Sequence, residues 1–307
     1  MSSVAEWCSV TKRYRGVTAV ENVSLGLEAG EATALVGHNG AGKTTLIKLL
    51  LGLIRPNDGS VRIAGTDPAG RRGAQARRTI GFLPESVAFH GAMTGHELMA
   101  FYAKLKGEPC QRNAELLARV GIADAAHRRV ATYSKGMRQR LGIAQALIGD
   151  PRLLLFDEPT SGLDPASRRD VYDMIGTLRD SGATVLISTH ALTEVENRVD
   201  RAAIMHGGRL LAAGTLAELR HGVDAEVCIR LRMRPCSTGS VLARLPAGVR
   251  CGERSEAALT LYVAPAAKMQ ALRAIAQAGE LVEDVELTAP GLQELYGHLV
   301  GAAEEAA

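Results

Sequence analysis

The pattern of apolar and polar positions predicts a mixed α/β fold for the first two thirds of the chain. Residues 32–36, 152–156 and 184–189 form short, mostly apolar runs, which are typical of buried strands. Residues 4–35 contain alternating stretches, which favour an antiparallel sheet beside those strands, and a turn is expected at residues 57–59. The sequence therefore predicts two kinds of sheet in this part of the chain.

Residues 86–150 are predicted to be mostly helical. Thr94 and Glu97 have the spacing of a capping box, which marks the start of a helix. Four apolar residues that follow share one helical face: Leu98, Phe101, Tyr102 and Leu105. We interpret this stripe as core packing.

Beyond about residue 222 the pattern becomes a strict alternation. Apolar and polar residues alternate over residues 227–233, as in a half-buried strand. The elements predicted next are a helix over 237–245, a hairpin over 249–263, a helix over 266–278 and a strand over 281–287. This βαββαβ order suggests a small ferredoxin-like module. A last helix is expected over 290–300, followed by a frayed Ala/Glu tail.

Composition narrows the classes of function. The 307 residues are 46% hydrophobic and 22% charged, with a net charge of only +3 and 4% aromatic residues. These values argue against a nucleic-acid-binding surface. No apolar run approaches the length of a membrane helix, and the first residues lack the pattern of a signal peptide, so we expect a cytoplasmic protein that meets a membrane through a partner.

The five cysteines, at positions 8, 110, 228, 236 and 251, form no C-x-x-C pair. We expect free thiols, because nothing in the spacing favours metal binding through Cys228, Cys236 and Cys251.

The apolar run 32–36 leads into a phosphate-binding motif. Residues 37–44 fit G-x-x-x-x-G-K-[ST], and the predicted nucleotide-binding residues are Gly37, His38, Asn39, Gly40, Ala41, Gly42, Lys43, Thr44 and Thr45. The loop's N–H groups and the following helix N-terminus favour an anion. Lys43 is expected to reach the β- and γ-phosphates and the Thr44 hydroxyl to bind Mg²⁺, whereas the His38 side chain is expected to face solvent.

Further candidate groups follow the other apolar runs. Asp157 and Glu158 come at the end of the run 152–156, where a carboxylate lies beside the phosphate loop in such a sheet. Asp157 is placed to hold Mg²⁺, and Glu158 to accept a proton from an attacking water. His190 ends the run 184–189 and can reach the γ-phosphate from the side.

A second anion-binding helix start is predicted at residues 134–136, which are Ser134, Lys135 and Gly136. One chain thus has one phosphate loop but two such helix starts. The economical explanation is that two copies face each other head to tail and share two ATP molecules.

Together these motifs resemble the ATPase subunit of an ABC transporter. The resemblance rests on GHNGAGKT, YSKGM, LLLFDEPTSGLD and ISTH and covers residues 1 to about 220. It implies that Tyr14 stacks on adenine and that Glu85 touches Mg²⁺ and communicates with the membrane subunit. It also implies that Asp164 lies in a loop crossing the dimer interface and that His190 senses the γ-phosphate.

The resemblance also implies an architecture and a set of partners. The fold would be a P-loop ABC ATPase core with an antiparallel β subdomain and an α-helical subdomain at about 86–150. We expect this domain to span residues 1–221 and a small α+β accessory domain to span 222–307. The partners would be a second copy and an integral membrane permease, with the chain peripheral on the inner face of the membrane. ATP and Mg²⁺ would bind, and nucleic acid would not.

Two of the motifs depart from the family pattern. The usual LSGGQ is YSKGM, so Met137 replaces a glutamine, and Glu85 stands where the family usually has glutamine. Both variants are familiar in the ABC-2-type exporter branch, and we interpret them as marks of that branch.

Several functions remain open. Within the ABC-2 branch, FLPESVAFH and the long string around YSKGM most resemble the ATPase of the transporter that matures the copper–sulfur centre of nitrous oxide reductase, which would add a periplasmic accessory protein. The alternative is a generic ABC-2 exporter of drugs, polysaccharide or sodium. A soluble ABC ATPase acting on ribosomes or DNA would need two cassettes, a coiled-coil insertion or zinc cysteines. A P-loop kinase or GTPase would have no use for YSKGM.

Overall fold

The computed structural model describes residues 3–223, 225–235 and 237–305, which form two compact units. The first unit ends at Thr215 and the second begins at Leu216, so the boundary lies before residue 221. Cys236, which was considered as a metal ligand, lies outside the described residues. In the described part of the chain, no helix is both long enough and apolar enough to span a membrane.

The strands are, in chain order, β1 (Ser3–Tyr14), β2 (Val17–Glu28), β3 (Ala32–Val36), β4 (Asp58–Ile63), β5 (Ile80–Leu83), β6 (Leu153–Asp157), β7 (Thr184–Thr189), β8 (Arg201–His206), β9 (Arg209–Thr215), β10 (Val227–Met233), β11 (Val249–Arg254), β12 (Ala258–Val263) and β13 (Val282–Thr288). The helices are α1 (Lys43–Leu50), α2 (Gly73–Arg78), α3 (Gly95–Lys106), α4 (Asn113–Arg119), α5 (Lys135–Ala146), α6 (Pro165–Asp180), α7 (Leu192–Val195), α8 (Leu216–Gly222), α9 (Thr238–Leu242), α10 (Lys268–Gln277) and α11 (Leu292–Glu305). This mixture of elements confirms the α/β fold class.

The larger sheet of the first unit carries the phosphate-binding motif. Its six strands lie in the order β5-β6-β7-β3-β8-β9, and all neighbours are parallel except β8 and β9. Every residue of β3, β6 and β7 is buried, as their apolar runs predicted. Because these strands are parallel, their carboxyl ends meet at one edge, where ligands bind in such sheets.

A second sheet in the first unit is antiparallel, with the order β2-β1-β4. It packs on the nucleotide core, and the Trp7 indole N–H donates to the carbonyl of Leu46 in α1 at 3.2 Å. The prediction of a turn at residues 57–59 was wrong, because β4 begins at Asp58. Gly59 has a φ of 80° and passes close to the backbone of Ser9, beside a β-bulge, which is why glycine is found there.

The helical region contains α3, α4 and α5 with irregular segments between them. The capping box is confirmed: the Thr94 hydroxyl accepts from the Glu97 N–H at 3.2 Å, and Glu97 accepts from the Thr94 N–H at 2.8 Å. The interpretation of the apolar stripe on α3 as core was only half right. Leu98 is buried, but Phe101 is 51% exposed and Leu105 is 72% exposed.

The second unit contains a four-stranded antiparallel sheet in the order β11-β12-β10-β13. Its elements follow one another as β10, α9, β11, β12, α10 and β13. One face of the sheet, with Ile229, Leu231 and Leu261, is buried in a core that includes residues of α9 and α10. The expected frayed tail was wrong for residues 301–305, which continue α11 to Glu305, in keeping with the high helix propensity of alanine and glutamate.

Candidate nucleotide-binding site

The loop between β3 and α1 is shaped by glycine. Gly40 and Gly42 have φ values of 87° and 103°, which glycine adopts without steric cost. A Cβ on Gly42 would also lie 2.7 Å from the carbonyl oxygen of Ala19. Gly42 caps α1 without any side-chain hydrogen bond, so the first N–H groups of this helix are left for a ligand. His38, Asn39 and Gly40 are exposed, which agrees with the expectation for His38.

Lys43 begins α1 and is only 6% exposed. Its ammonium group donates to the carbonyl of Gly37 at 2.6 Å and lies 3.4 Å from the Glu158 Oε1 carboxylate oxygen. That oxygen accepts no hydrogen bond from the described residues, so its contact with Lys43 is an ion pair. Because both groups are buried, their charges need partners. Glu158 is the partner of the Lys43 ammonium group here, and a bound phosphate would be its partner when a nucleotide is present.

Asp157, at the end of β6, is held from two sides. Its Oδ1 accepts a hydrogen bond from the Ser188 hydroxyl at 2.5 Å, and its Oδ2 lies 3.3 Å from the hydroxyl of Thr44. Ser188 stands opposite Asp157 in the parallel β6–β7 register. The carboxylate and the Thr44 hydroxyl therefore meet beside the phosphate loop, where hard oxygen donors suit Mg²⁺.

Glu158 follows β6 in a strained conformation. Its φ of 47° is uncommon for a residue with a side chain and costs about 1–3 kcal/mol, which the surrounding structure must offset. Its N–H lies 3.1 Å from the carbonyl and 3.0 Å from the hydroxyl of Ser188. Its Oε2 is 2.9 Å from Nδ1 of His190, whose side chain is 57% exposed. The structure thus brings Lys43, Glu158 and His190 together as one chain of polar contacts.

These groups line a cleft of about 440 Å³. Tyr14, Glu85 and the whole run from His38 to Thr45 also line it. Tyr14 is 42% exposed, which leaves its ring accessible, and the Lys12 ammonium lies over the ring, 5.2 Å from its centre. Glu85 is exposed at the rim. The structure therefore gathers most of the predicted residues around one space, whereas Gly37 and Asp157 do not line it.

Two residues of the site, Ser188 and Ala19, were missed by sequence reasoning. Ser188 is fully buried and holds both Asp157 and the backbone of Glu158. A polar residue near the carboxyl end of a buried strand is the signal that could have indicated it. Ala19 also lines the cleft and carries no sequence signal of its own. Ser161 lines it too and belongs to the LLLFDEPTSGLD string, whose Ser161–Asp164 loop was expected at the dimer interface.

The predicted second helix start lies elsewhere in the chain. Ser134, Lys135 and Gly136 are not among the residues that line the cleft. The Ser134 hydroxyl caps α5 by accepting from the Met137 N–H at 3.2 Å. Just before it, Tyr133 donates its hydroxyl to the carbonyl of Ala125 at 2.7 Å, and burial raises the pKa of this phenol.

Asp164 is likewise outside the cleft and caps α6. Its Oδ1 accepts from the N–H groups of Ala166 and Ser167 at 3.1 and 3.0 Å, and its Oδ2 accepts from the Ser167 hydroxyl at 2.6 Å. These hydrogen bonds, that of the Ser167 hydroxyl foremost, lower the pKa of the carboxyl group. Within one chain, the phosphate loop and the second helix start therefore do not form one site.

Known proteins with similar sequences and folds identify the family. The family model described as ABC transporter matches residues 20–161. The uncharacterized ABC transporter ATP-binding protein YxlF of Bacillus subtilis (strain 168) is 43% identical over 223 residues, which are 71% of this chain and 73% of that protein. The daunorubicin resistance ATP-binding protein DrrA3 of Streptomyces coeruleorubidus is 34% identical over 299 residues, which are 94% of this chain and 93% of that protein.

A solved structure of an ATP-binding subunit of an ABC transporter has the same fold in the matched part. It superposes with a TM-score of 0.65 at 31% identity and covers 72% of this chain and 93% of its own. Members of this family hydrolyse ATP to drive transport, and they dimerise and work with a membrane permease. With the nucleotide cleft described above, these similarities show that the chain belongs to the ATP-binding proteins of ABC transporters and is an ATPase coupled to transport.

Proposed function

We propose that this chain drives an ABC-2-type exporter and that Glu158 is the general base for its ATP hydrolysis. The observation that carries the catalytic part is the buried contact between Lys43 and Glu158, at 3.4 Å, directly beside the phosphate loop. A carboxylate there can accept a proton from the water that attacks the γ-phosphate. Its strained backbone supports this role, since such conformations cluster at active sites.

The other groups of the cleft then have separate tasks. Lys43 and the loop N–H groups hold the phosphates, and Tyr14 stacks on adenine. His190 contacts Glu158 at 2.9 Å and lies at the rim, so it can orient the carboxylate and meet the γ-phosphate. Ser188 fixes Asp157 and Glu158 relative to each other and keeps both aimed at the phosphate loop.

Thr44, Asp157 and Glu85 are the proposed residues around Mg²⁺. The hydroxyl and carboxylate oxygens of Thr44 and Asp157 are suitable donors, and Mg²⁺ commonly uses one or two carboxylates together with phosphates and waters. Clusters of three or more His, Cys, Asp and Glu side chains able to hold a metal are missing from the described residues, which suits an ion bound partly by ATP. The chemistry that Mg²⁺ supplies at such sites is neutralisation of charge on the transferring phosphoryl group.

We propose that Ser134, Lys135, Gly136 and Asp164 act at the cleft of the second copy. None of these four residues lines the cleft of its own chain, which supports a role outside that cleft. The start of α5 offers N–H groups for the partner's ATP, and the Lys135 side chain adds a positive charge.

The exposed side of α3 is the proposed docking surface for the permease. Phe89, Phe101 and Tyr102 form an aromatic cluster with ring centres 6.2 and 5.4 Å apart, and Leu105 extends it. Exposed apolar groups of this kind mark protein interaction sites. The cluster follows Glu85 in the chain, so a permease bound there could sense the state of the cleft. This arrangement supports a peripheral location on the cytoplasmic face of the membrane.

The two compact units suggest a division of labour. We propose that the first unit is the ATP-binding domain, with its helical subdomain at about 86–150, and that the second is an accessory domain of ferredoxin-like type. The strand order β11-β12-β10-β13 and the βαββαβ sequence of elements support this assignment.

A drug-type substrate is the proposed cargo. The similarity to DrrA3, which is named for daunorubicin resistance, extends over 94% of this chain and so includes the accessory unit. A linearmycin resistance ATP-binding protein of Bacillus subtilis (strain 168) is also 35% identical over 73% of the chain. These names favour export of amphipathic small molecules.

Maturation of the copper–sulfur centre of nitrous oxide reductase, with a periplasmic accessory protein, is the second proposal. The observation that favours it is the resemblance of FLPESVAFH and the string around YSKGM to that subgroup. An ATPase subunit does not contact the cargo, so the cleft is compatible with either function.

One pair of measurements separates the two proposals. Inside-out vesicles containing the chain and its permease are tested for ATP-dependent uptake of daunorubicin, with Glu158→Gln as the inactive control. Cells carrying the same variant are tested for the copper content of nitrous oxide reductase. Uptake that Glu158→Gln abolishes supports the drug exporter, whereas a copper-deficient reductase without uptake supports the maturation function.

A further inference from the structure

Gln139 is a buried polar residue that the proposed mechanism does not yet use. It lies on α5, is 6% exposed, and donates a hydrogen bond from its side-chain amide to the carbonyl oxygen of Pro159 at 2.7 Å. The contact joins residues 20 positions apart and is buried, so water does not compete for it.

Pro159 directly follows Glu158. Its carbonyl lies in the peptide that joins it to Thr160, one peptide beyond Glu158. The Glu158 carbonyl itself accepts from the Ser161 N–H at 3.1 Å. On the other side of Glu158, its own N–H is held by Ser188. Ser188 therefore fixes the peptide before Glu158, whose φ is 47°, and Gln139 fixes the second peptide after it.

The same face of α5 meets the loop after Glu158 at other points. The side chain of Lys135 lies against Gly162, and Gly136 lies close to the hydroxyl of Ser167. Nearer the surface, Arg140 pairs with Asp170 of α6 at 2.6 Å. Of these contacts from α5, the one from Gln139 ends nearest to Glu158 in the chain, on the carbonyl of the following residue.

We propose that Gln139 is a positioning residue that holds Glu158 in its strained conformation and ties it to α5. The proposal rests on the proposed role of Glu158 as general base. Because Ser134 caps α5, the helix that is proposed to meet the partner's ATP is linked to the general base of its own chain's cleft. A movement of α5 on dimer closure would thus reach Glu158 through one hydrogen bond and Pro159.

The test uses the full chain with Gln139→Met, which nearly keeps the size of the side chain but removes the donor. Misplacement of a catalytic group by about 1 Å can slow a reaction roughly 100-fold. We expect kcat for ATP hydrolysis to fall about 10- to 100-fold, while KM and the Kd for ATP stay within about twofold. The measurements are steady-state ATPase kinetics, equilibrium ATP binding and thermal unfolding.

Gln145→Met is the matched control. Gln145 lies on the same helix, is partly buried, and makes no side-chain hydrogen bond with the residues that the structure describes. Its kcat should remain within about twofold of the unmodified protein. Gln139→Glu provides a second variant with nearly the same shape, in which the donor facing Pro159 becomes an acceptor, and its kcat should fall at least as far.

A structural role alone would lower the melting temperature of Gln139→Met while leaving kcat of the folded protein unchanged, and that result would overturn the proposal. Equal effects of Gln139→Met and Gln145→Met would also overturn it. If Gln139→Met fails to fold, the kcat of Gln139→Glu decides in the same way. Glu158→Gln, measured in parallel, distinguishes the failure of the two proposals. Full activity of Glu158→Gln would contradict the role of Glu158 as general base. An inactive Glu158→Gln together with a normal kcat for Gln139→Met would contradict only the positioning role of Gln139.

Discussion

The nucleotide cleft of the first unit and the sheet of the second unit differ in whether their polar side chains are buried or exposed. At the cleft, Asp157, Glu158 and Ser188 are buried at the carboxyl ends of parallel strands, and Lys43 is buried at the start of α1. On the second unit's sheet, the charged residues are exposed. Arg232 lies 3.8 Å from Asp284 across the β10–β13 pair, with 67% of its side chain accessible.

This difference indicates that buried polar contacts determine the properties of the cleft, whereas apolar packing determines the stability of the second unit. Buried polar groups are costly unless partners are aligned with them, so each change in the cleft is expected to disturb several others. Exposed pairs on the second sheet contribute little, and that unit depends on its apolar face instead. The comparison leads to three substitutions, whose expected effects decrease in the order given below.

Leu261→Ala should have the largest effect on stability and none on the cleft. Leu261 is fully buried in the core of the second unit, and such truncations cost about 2–5 kcal/mol. The KM for ATP should not change, because every residue lining the cleft belongs to the first unit. Urea unfolding followed by circular dichroism gives the stability, and ATPase kinetics give KM. A raised KM in a normally folded protein would contradict the claim that the core of the second unit does not affect the cleft.

Ser188→Ala should affect both stability and turnover. It removes the hydroxyl that contacts Asp157 and the Glu158 N–H, and leaving a buried group unsatisfied costs about 1–3 kcal/mol. We expect lower stability in urea unfolding together with a reduced kcat. Ser188→Thr keeps the hydroxyl and serves as the control, which should recover part of the kcat. A normal kcat in Ser188→Ala would mean that the carboxylates hold their positions without it.

Arg232→Ala should have the smallest effect. Its contacts with Glu283 and Asp284 are 3.8 Å long and exposed, so the loss should be below about 1 kcal/mol. The difference from the unmodified protein should shrink further in 1 M salt, as screening predicts. A larger loss that persists in salt would show that the exposed pairs of the second unit matter more than the comparison allows.

The cleft was largely predictable from the sequence, because its parts are local motifs. The strand, loop and helix around Lys43 follow one another in the chain, and the buried runs ending at Asp157 and Thr189 have a clear apolar pattern. Parallel pairing of these runs brings their ends together without further information.

Features that depend on distant packing were not predictable. The exposure of Phe101 and Leu105 depends on which neighbours cover α3, and a helical stripe alone does not carry that information. The bond from Gln139 to Pro159 joins two motifs through tertiary contact, so neither motif indicates it. Strand β4 begins at Asp58 because a bulge in β1 lets Asp58 pair with it. The sequence of residues 58–59 alone is typical of a turn.

The central claim is that Glu158 is the base that drives ATP hydrolysis in the cleft, and Glu158→Gln tests it most directly. The decisive measurement is ATP hydrolysis under single-turnover conditions, beside the Kd for ATP and gel filtration with ATP. We expect ATP binding to be retained, the protein to run as a dimer, and hydrolysis to slow by roughly 10²- to 10⁴-fold. Hydrolysis at the rate of the unmodified protein, with ATP bound equally well, would contradict the account.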